Sequence, residues 1–273
     1  MTKNEFIDIE IEAKDYPFTS IKYLSYEDIK TYQVIQKDDD LILIYGMNNM
    51  SNMFEILYAC YDYEVLIDRV KHYPNTLIKH VPLEYHQKLK ELGYIEYAIF
   101  RDYWLHDLSY FHEFKEDVLL ATIQDANEIS EITKGNKGQS RSFFGEDEDF
   151  ITSWILGTNP VLLEMEATHP KIYVYKKNNH ILGIALTCIY NHNHAKGPTH
   201  WMREIAVKVN HHHQGIGRKL MEHALSHGYM DGAKRSFLMA DDLNQHAIRL
   251  YKHMGYVPNL LEQEINMITP LSK

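Results

Sequence analysis

Glu204-Ile205-Ala206-Val207-Lys208-Val209-Asn210-His211-His212-His213-Gln214-Gly215-Ile216-Gly217-Arg218-Lys219-Leu220 is the stretch on which the reading of this chain turns. It opens as a short apolar strand, because residues 204–209 are rich in β-branched types and hold neither Gly nor Pro. A polar turn follows and ends in Gly215-Ile216-Gly217. From Gly217 the apolar period changes, and Leu220, Met221, Ala224 and Leu225 share one helical face. A strand that passes through closely spaced glycines into a helix start outlines an anion site. Glycine lets backbone N–H groups approach a ligand, and the helix N-terminus adds partial positive charge. A diphosphate suits such a site. Two common diphosphate loops are excluded. Leu220 follows Lys219 where nucleoside triphosphatases need Ser or Thr, and the same leucine stands where the dinucleotide fingerprint needs a third glycine.

A second stretch lies downstream: Asn244-Gln245-His246-Ala247-Ile248-Arg249-Leu250-Tyr251-Lys252-His253-Met254-Gly255-Tyr256. Asn244, Ala247 and Tyr251 stand at i, i+3 and i+7 and so share a helix face. Gly255 stops that helix and Tyr256 starts a strand. Together the two stretches resemble the GNAT-type N-acetyltransferases. Their first block is Arg/Gln-x-x-Gly-x-Gly/Ala after a strand that often ends Val-x-Pro. Their second is Asn-x-x-Ala-x-x-Leu-Tyr-x-x-x-Gly-Phe/Tyr. The chain departs from the pattern at His212, in the Arg/Gln position, and at Val209, where Pro is common. The resemblance covers residues 170–260 and extends more weakly to 117–170. It implies an α/β GNAT fold, a mixed central sheet flanked by helices, with a second, smaller α/β domain at the N-terminus.

The length of 273 residues suits two domains. No apolar run is long enough to span a bilayer, and the N-terminus lacks the apolar core of a secretory signal. The only cysteines are Cys60 and Cys188, which suits reduced thiols. A cytoplasmic protein without membrane partners is therefore expected. The net charge of −10 and the absence of a basic stretch argue against a nucleic-acid partner. An acidic balance fits a cationic substrate. Histidines 192, 194, 200 and 211–213 form no His-Glu-x-x-His or paired-cysteine pattern, so they read as solvated loop residues and no metal site is expected.

Along the chain, residues 6–12 alternate as a strand would, and residues 41–45 and 54–61 read as strands. Residues 64–72 and 83–92 read as helices, with strands at 77–81 and 94–105. The order strand, helix, Gly93-Tyr94, strand parallels the later Gly255-Tyr256 segment. Residues 1–112 are thus either a degenerate GNAT-like repeat without a coenzyme loop or an unrelated α/β domain. Residues 110–117 form the expected boundary, and 117–273 the acetyltransferase domain. There, residues 118–123 read as a strand, Asp125 as a helix N-cap, residues 172–175 and 181–187 as a hairpin around Asn178-Asn179, and residues 236–240 and 264–269 as the last strands.

The resemblance implies direct transfer of an acetyl group from acetyl-CoA to an amine. Ile205, Ala206, Val207 and Val209 would pair with the pantetheine through the main chain. His212, Gln214, Gly215, Ile216, Gly217 and Arg218 would surround the pyrophosphate, mainly through backbone N–H groups. Tyr251 would protonate the departing thiolate, since a phenol and a thiol have comparable pKa values; the other reading is a packed core tyrosine. Asn244 would hold coenzyme or an ordered water, or simply cap the helix. Glu204, alternating with Arg203 and Ile205, is the first candidate for the base, with His200 or an ordered water next. The expected acceptor is a primary amine of a small molecule. The alternatives are a protein amine and a non-catalytic acyl-CoA sensor or scaffold. Oligomeric state stays open, a homodimer among the options.

Overall fold

The computed structural model describes residues 1–24, 26–49, 51–141 and 143–271. Its contacts fall into two compact units: residues 1–100 with 263–273, and residues 101–262. In chain order the elements are α1 (Lys3–Ala13), β1 (Phe18–Thr19), α2 (Tyr26–Ile29), β2 (Gln33–Lys37), β3 (Leu41–Asn48), β4 (Met53–Cys60), α3 (Tyr63–Val70), β5 (Leu77–Ile78), α4 (Leu83–Glu91) and β6 (Ile95–Leu105). They continue as β7 (Val118–Leu120), α5 (Ala126–Gly135), α6 (Glu148–Leu156), α7 (Pro160–Glu164), β8 (Thr168–Lys177), β9 (His180–Tyr190), β10 (Thr199–Val207), α8 (Ile216–Met230), β11 (Arg235–Asp241), α9 (Gln245–His253) and β12 (Val257–Ile268).

The first unit is a mixed sheet in the order β2-β3-β4-β5, with the end of β12 beside β5. Met267 pairs with Ile78, so the C-terminal residues belong to this unit and not to the one that precedes them in sequence. The alternation at residues 6–12 is a helix and not a strand. Thr2 and Glu5 form a reciprocal capping box, and Phe6, Ile9 and Ala13 are buried at helical spacing. The short alternation fits both periods, and the cap decides between them.

The second unit is a mixed sheet in the order β11-β10-β9-β8-β7, antiparallel except for the parallel pair β10 and β11. Asn178 and Asn179 take positive φ at the β8–β9 turn, as a two-residue hairpin of this twist requires. The segment after β7 is not strand through Ile123. Ile123–Asp125 form a 3-10 turn, because the Asp125 carboxylate bonds back to the Thr122 backbone N–H at 2.8 Å and does not cap α5. Two apolar clusters cover the two faces of this sheet. One gathers Leu220, Met221, Ala224 and Leu225 of α8 with Tyr251 and Tyr256, and the other gathers Ile129 and Ile132 of α5 with Trp154 of α6. Gly183 of β9 brings α8 close: a Cβ there would lie 2.9 Å from Ile216 Cγ2 and 3.0 Å from Leu220 Cδ1.

Candidate active site

β10 is the spine of the site, and its pairing with β9 is irregular at one point. Met202 faces Thr187 and Glu204 faces Leu186, so Arg203 is an extra residue, a β-bulge. The bulge reverses the alternation. Met202 packs in the α8 cluster before it, and Ile205 and Val207 pack against that same cluster after it. Trp201 and Ala206 face the cluster of α5 and α6. The regular alternation expected for Arg203, Glu204 and Ile205 is therefore broken at Arg203.

After β10 the chain makes a 3-10 turn at Val209–His211 and enters α8 at Gly215. His213 and Gly215 carry φ of 61° and 78°. Gly215 has no side chain to offer as a cap, and no other side chain caps the helix. The first backbone N–H groups of α8 are thus left for another partner. A Cβ at Gly215 would meet nothing within 4 Å, so the helix start opens onto free space. That space is a cavity of about 840 Å³, a size that suits a cofactor-sized ligand.

The cavity brings both sequence stretches together. Ile205, Val207, His212, Gly215, Ile216, Gly217 and Arg218 line it from one side, and Asn244 and Tyr251 from the other. Val209 and Gln214 are exposed and lie outside the lining, as does Ala206, which points to the opposite face. His212 does not reach outward like a long basic side chain. Its Nε2 lies 2.8 Å from the carbonyl oxygen of Val207, a bond that fastens the loop to the end of β10. Asn244 is a cap: its Oδ1 accepts from the Ala247 N–H at 3.3 Å. Its amide group remains at the cavity wall.

Tyr251 is buried on α9 between Tyr103 and Tyr256, with ring centroids 6.3 Å away in each case. Burial raises its phenol above the ordinary range, and the charge of Glu204 and Tyr103 add to the effect. Glu204, next to Ile205 of the lining, is 7% exposed and is not itself part of the cavity lining. Its Oε1 has no hydrogen-bond partner, and its Oε2 lies 3.5 Å from Arg203 Nη1. Burial pushes the Glu204 carboxyl up to about 8; Arg203 opposes the shift and Glu146 adds to it. The Glu204 charge thus bears on the buried Tyr251 phenol.

His200 is corrected from a loop residue to a buried one on β10. Its Nδ1 lies 3.0 Å from Ser236 Oγ, and its ring fills the space over Gly228, where a Cβ would be 2.6 Å from Cδ2. Burial drives it down to about 3. It is not part of the cavity lining.

Other contributors were not singled out by the two motifs. Gln139 and Arg249 also line the cavity. Arg141 anchors the loop after α5: its backbone N–H donates to Asp241 Oδ2 at 2.8 Å and its Nε to the same oxygen at 3.0 Å. Burial alone would raise Asp241, but the Arg141 side chain and the backbone N–H groups of Leu243 and Arg141 together lower it. Among the described residues no group of three or more His, Cys, Asp or Glu is placed to hold a metal ion. No helix among them is long and apolar enough to cross a membrane.

The model of the acetyltransferase (GNAT) family matches residues 135–256. No protein of curated function matches the sequence. Among solved structures, a GCN5-related N-acetyltransferase from Sphaerobacter thermophilus superposes with a TM-score of 0.53 at 14% identity, covering 97% of this chain and 90% of that one. A GNAT-family acetyltransferase from Colwellia psychrerythraea gives 0.54 at 10% identity, covering 98% and 97%. A tandem GNAT protein from the clavulanic acid biosynthesis pathway gives 0.54 at 10% identity, covering 86% and 80%. These likenesses establish a GNAT fold. Acetyl-CoA is the cosubstrate of the family. Residues 135–256, which hold every residue of the cavity, belong to the acetyltransferase (GNAT) family.

Proposed function

We propose that the protein transfers an acetyl group from acetyl-CoA directly to a primary amine of a small molecule. The observation that carries this reading is the convergence of both motif stretches on one cavity headed by the uncapped start of α8. The N–H groups of Gly215, Ile216, Gly217 and Arg218 are available to a pyrophosphate, which the helix dipole favours. Ile205 and Val207 line the approach to them, where an extended pantetheine would add to the strand.

Glu204 takes a proton from the acceptor ammonium. The freed amine attacks the thioester carbonyl carbon, and the C–S bond breaks as the tetrahedral adduct collapses. The sulfur takes the Tyr251 proton, and the surplus proton on the amide nitrogen returns to the tyrosinate. Burial raises the Tyr251 phenol, and the same buried surroundings make a thiolate formed beside it more basic, which keeps the proton transfer matched; the Glu204 value of about 8 suits a base near neutral pH. Residues 1–112 are a degenerate GNAT-like unit without a coenzyme site. The protein works in a reducing, cytoplasmic setting, consistent with free buried thiols at Cys60 and Cys188.

The test is thiol release from acetyl-CoA over a panel of small amines, with the Tyr251→Phe variant beside the wild type. Amine-dependent release that falls roughly 10²-fold in the variant, with coenzyme affinity kept, supports the reading. Coenzyme binding without turnover on any amine would instead support a sensor.

A further inference from the structure

Arg203 has more partners than one guanidinium serves equally. Its Nη2 lies 2.7 Å from Glu146 Oε1. Its Cζ lies 4.4 Å from the Phe150 ring centroid and 5.5 Å from that of Trp154, both on α6. Toward Glu204 it offers only the 3.5 Å contact at Oε2. An ion pair at 2.7 Å and two cation–π contacts therefore hold the charge on the α6 side. Glu146 is itself fixed, because its backbone N–H donates to Thr133 Oγ1 at 2.8 Å and its carbonyl accepts from Ser130 Oγ at 2.7 Å. The bulge at Arg203 places these neighbouring side chains where this choice of partner exists at all.

We propose that Glu146 is a positioning residue: by holding Arg203 against α6 it keeps the guanidinium off Glu204 and leaves Oε1 of that carboxyl free for the acceptor amine. The inference rests on Glu204 being the base. The charged groups that act on Glu204 are Arg203 beside it and Glu146 before α6, and Glu204 in turn acts on the Tyr251 phenol of α9. Only Arg203 is cationic. Were it to turn from Glu146, it would pair directly with Glu204, keep that carboxylate ionised and block the oxygen that now has no partner.

The test follows the Glu204 carboxyl carbon by carbon-13 NMR in protein labelled at the glutamate carboxyl, its signal assigned by difference from Glu204→Gln. Glu146→Gln is expected to lower the titration midpoint by about one pH unit or more, and Arg203→Met to raise it. Glu146→Asp, which keeps a carboxylate, restores most of the wild-type value. In the Arg203→Met background Glu146→Gln lowers the midpoint much less, by the direct repulsion of Glu146 alone, because most of its action passes through Arg203. An unmoved midpoint in Glu146→Gln overturns the proposal. So does an equal shift with and without Arg203, which would make Glu146 a direct charge on Glu204. A parallel pH profile of kcat/KM separates this from the catalytic reading. If Glu204→Gln keeps wild-type turnover, Glu204 is not the base, whatever the carbon-13 midpoints show.

Discussion

The two units repeat one segment and treat it differently. In the first, β4, α3, β5 and α4 follow in order, with β4 and β5 parallel; in the second, β10, α8, β11 and α9 do the same, with β10 and β11 parallel. The helix ends match in detail. α4 is followed by Gly93 at φ 88° and the buried Tyr94, whose N–H donates to the Leu89 carbonyl at 3.0 Å. α9 is followed by Gly255 at φ 93° and the buried Tyr256, whose N–H donates to the Tyr251 carbonyl at 3.0 Å. The helix starts do not match. Asp62 closes the start of α3 with its own carboxylate, which accepts from the Glu64 N–H at 2.9 Å. α8 starts at Gly215 with no such cap. At the position of Tyr251 the first unit has Leu89, fully buried. One order of elements therefore has its helix start closed by an internal carboxylate in the first unit and left uncapped in the second.

The sharpest way to break this comparison is to move the cap. Gly215→Asp puts the carboxylate of the first unit onto α8, and its left-handed backbone tolerates aspartate at modest strain. Acetyl-CoA affinity is expected to fall by roughly 10²-fold or more by calorimetry, through repulsion of the pyrophosphate and loss of the free N–H groups. Next come the paired positions on α4 and α9. Leu89→Ala should cost about 2–5 kcal/mol in denaturant unfolding without a specific change in turnover, since it deletes core volume. Tyr251→Phe should do the reverse, with stability nearly kept and turnover lost.

The buried carboxyls sharpen the contrast further. Glu55 of the first unit is 2% exposed and fully engaged, with Tyr32 Oη at 3.1 Å, Asn48 Nδ2 at 2.9 Å and Lys79 Nζ at 3.0 Å. Glu55→Gln should cost on the order of 3 kcal/mol, because Lys79 loses its counter-charge. Glu204 lacks a partner on Oε1, and its carboxyl sits at about 8 against an ordinary 4.5. Its folded-state value is raised, so proton binding favours the fold. That contribution is full below about 4.5 and is lost as pH rises through about 8. Glu204→Gln should therefore melt higher than wild type above pH 8, with the difference shrinking toward pH 5. The smallest effect is expected at the cap itself: Asp62→Ala should cost about 1 kcal/mol and leave coenzyme binding unchanged.

Much of this was legible in the sequence because glycine, capping residues and apolar period report local backbone demands directly. Gly215 and Gly217 announced the open helix start, Asn178-Asn179 the hairpin, and Gly93 and Gly255 the two matching helix ends. Other features depend on what lies far away in the chain. The bulge at Arg203 arises from pairing with β9, so no local pattern marks it. His200 looked like one of several solvated histidines, and the close approach of Gly228 and the contact with Ser236, both distant in sequence, show that its ring is enclosed. The anchoring of the loop after α5 by Arg141 joins residues 100 positions apart. The ambiguity at residues 6–12 was resolved by Thr2 and Glu5, a capping signal outside the alternating stretch.

The most direct test of the central claim is the stoichiometry of acetyl-CoA binding to the intact wild-type chain by calorimetric titration. One micromolar site per chain is the expected result, since of the matched pair α8 presents an open helix start where α3 presents Asp62. Two sites per chain would contradict the assignment of the first unit to packing, and no binding by the folded protein would contradict the coenzyme site itself.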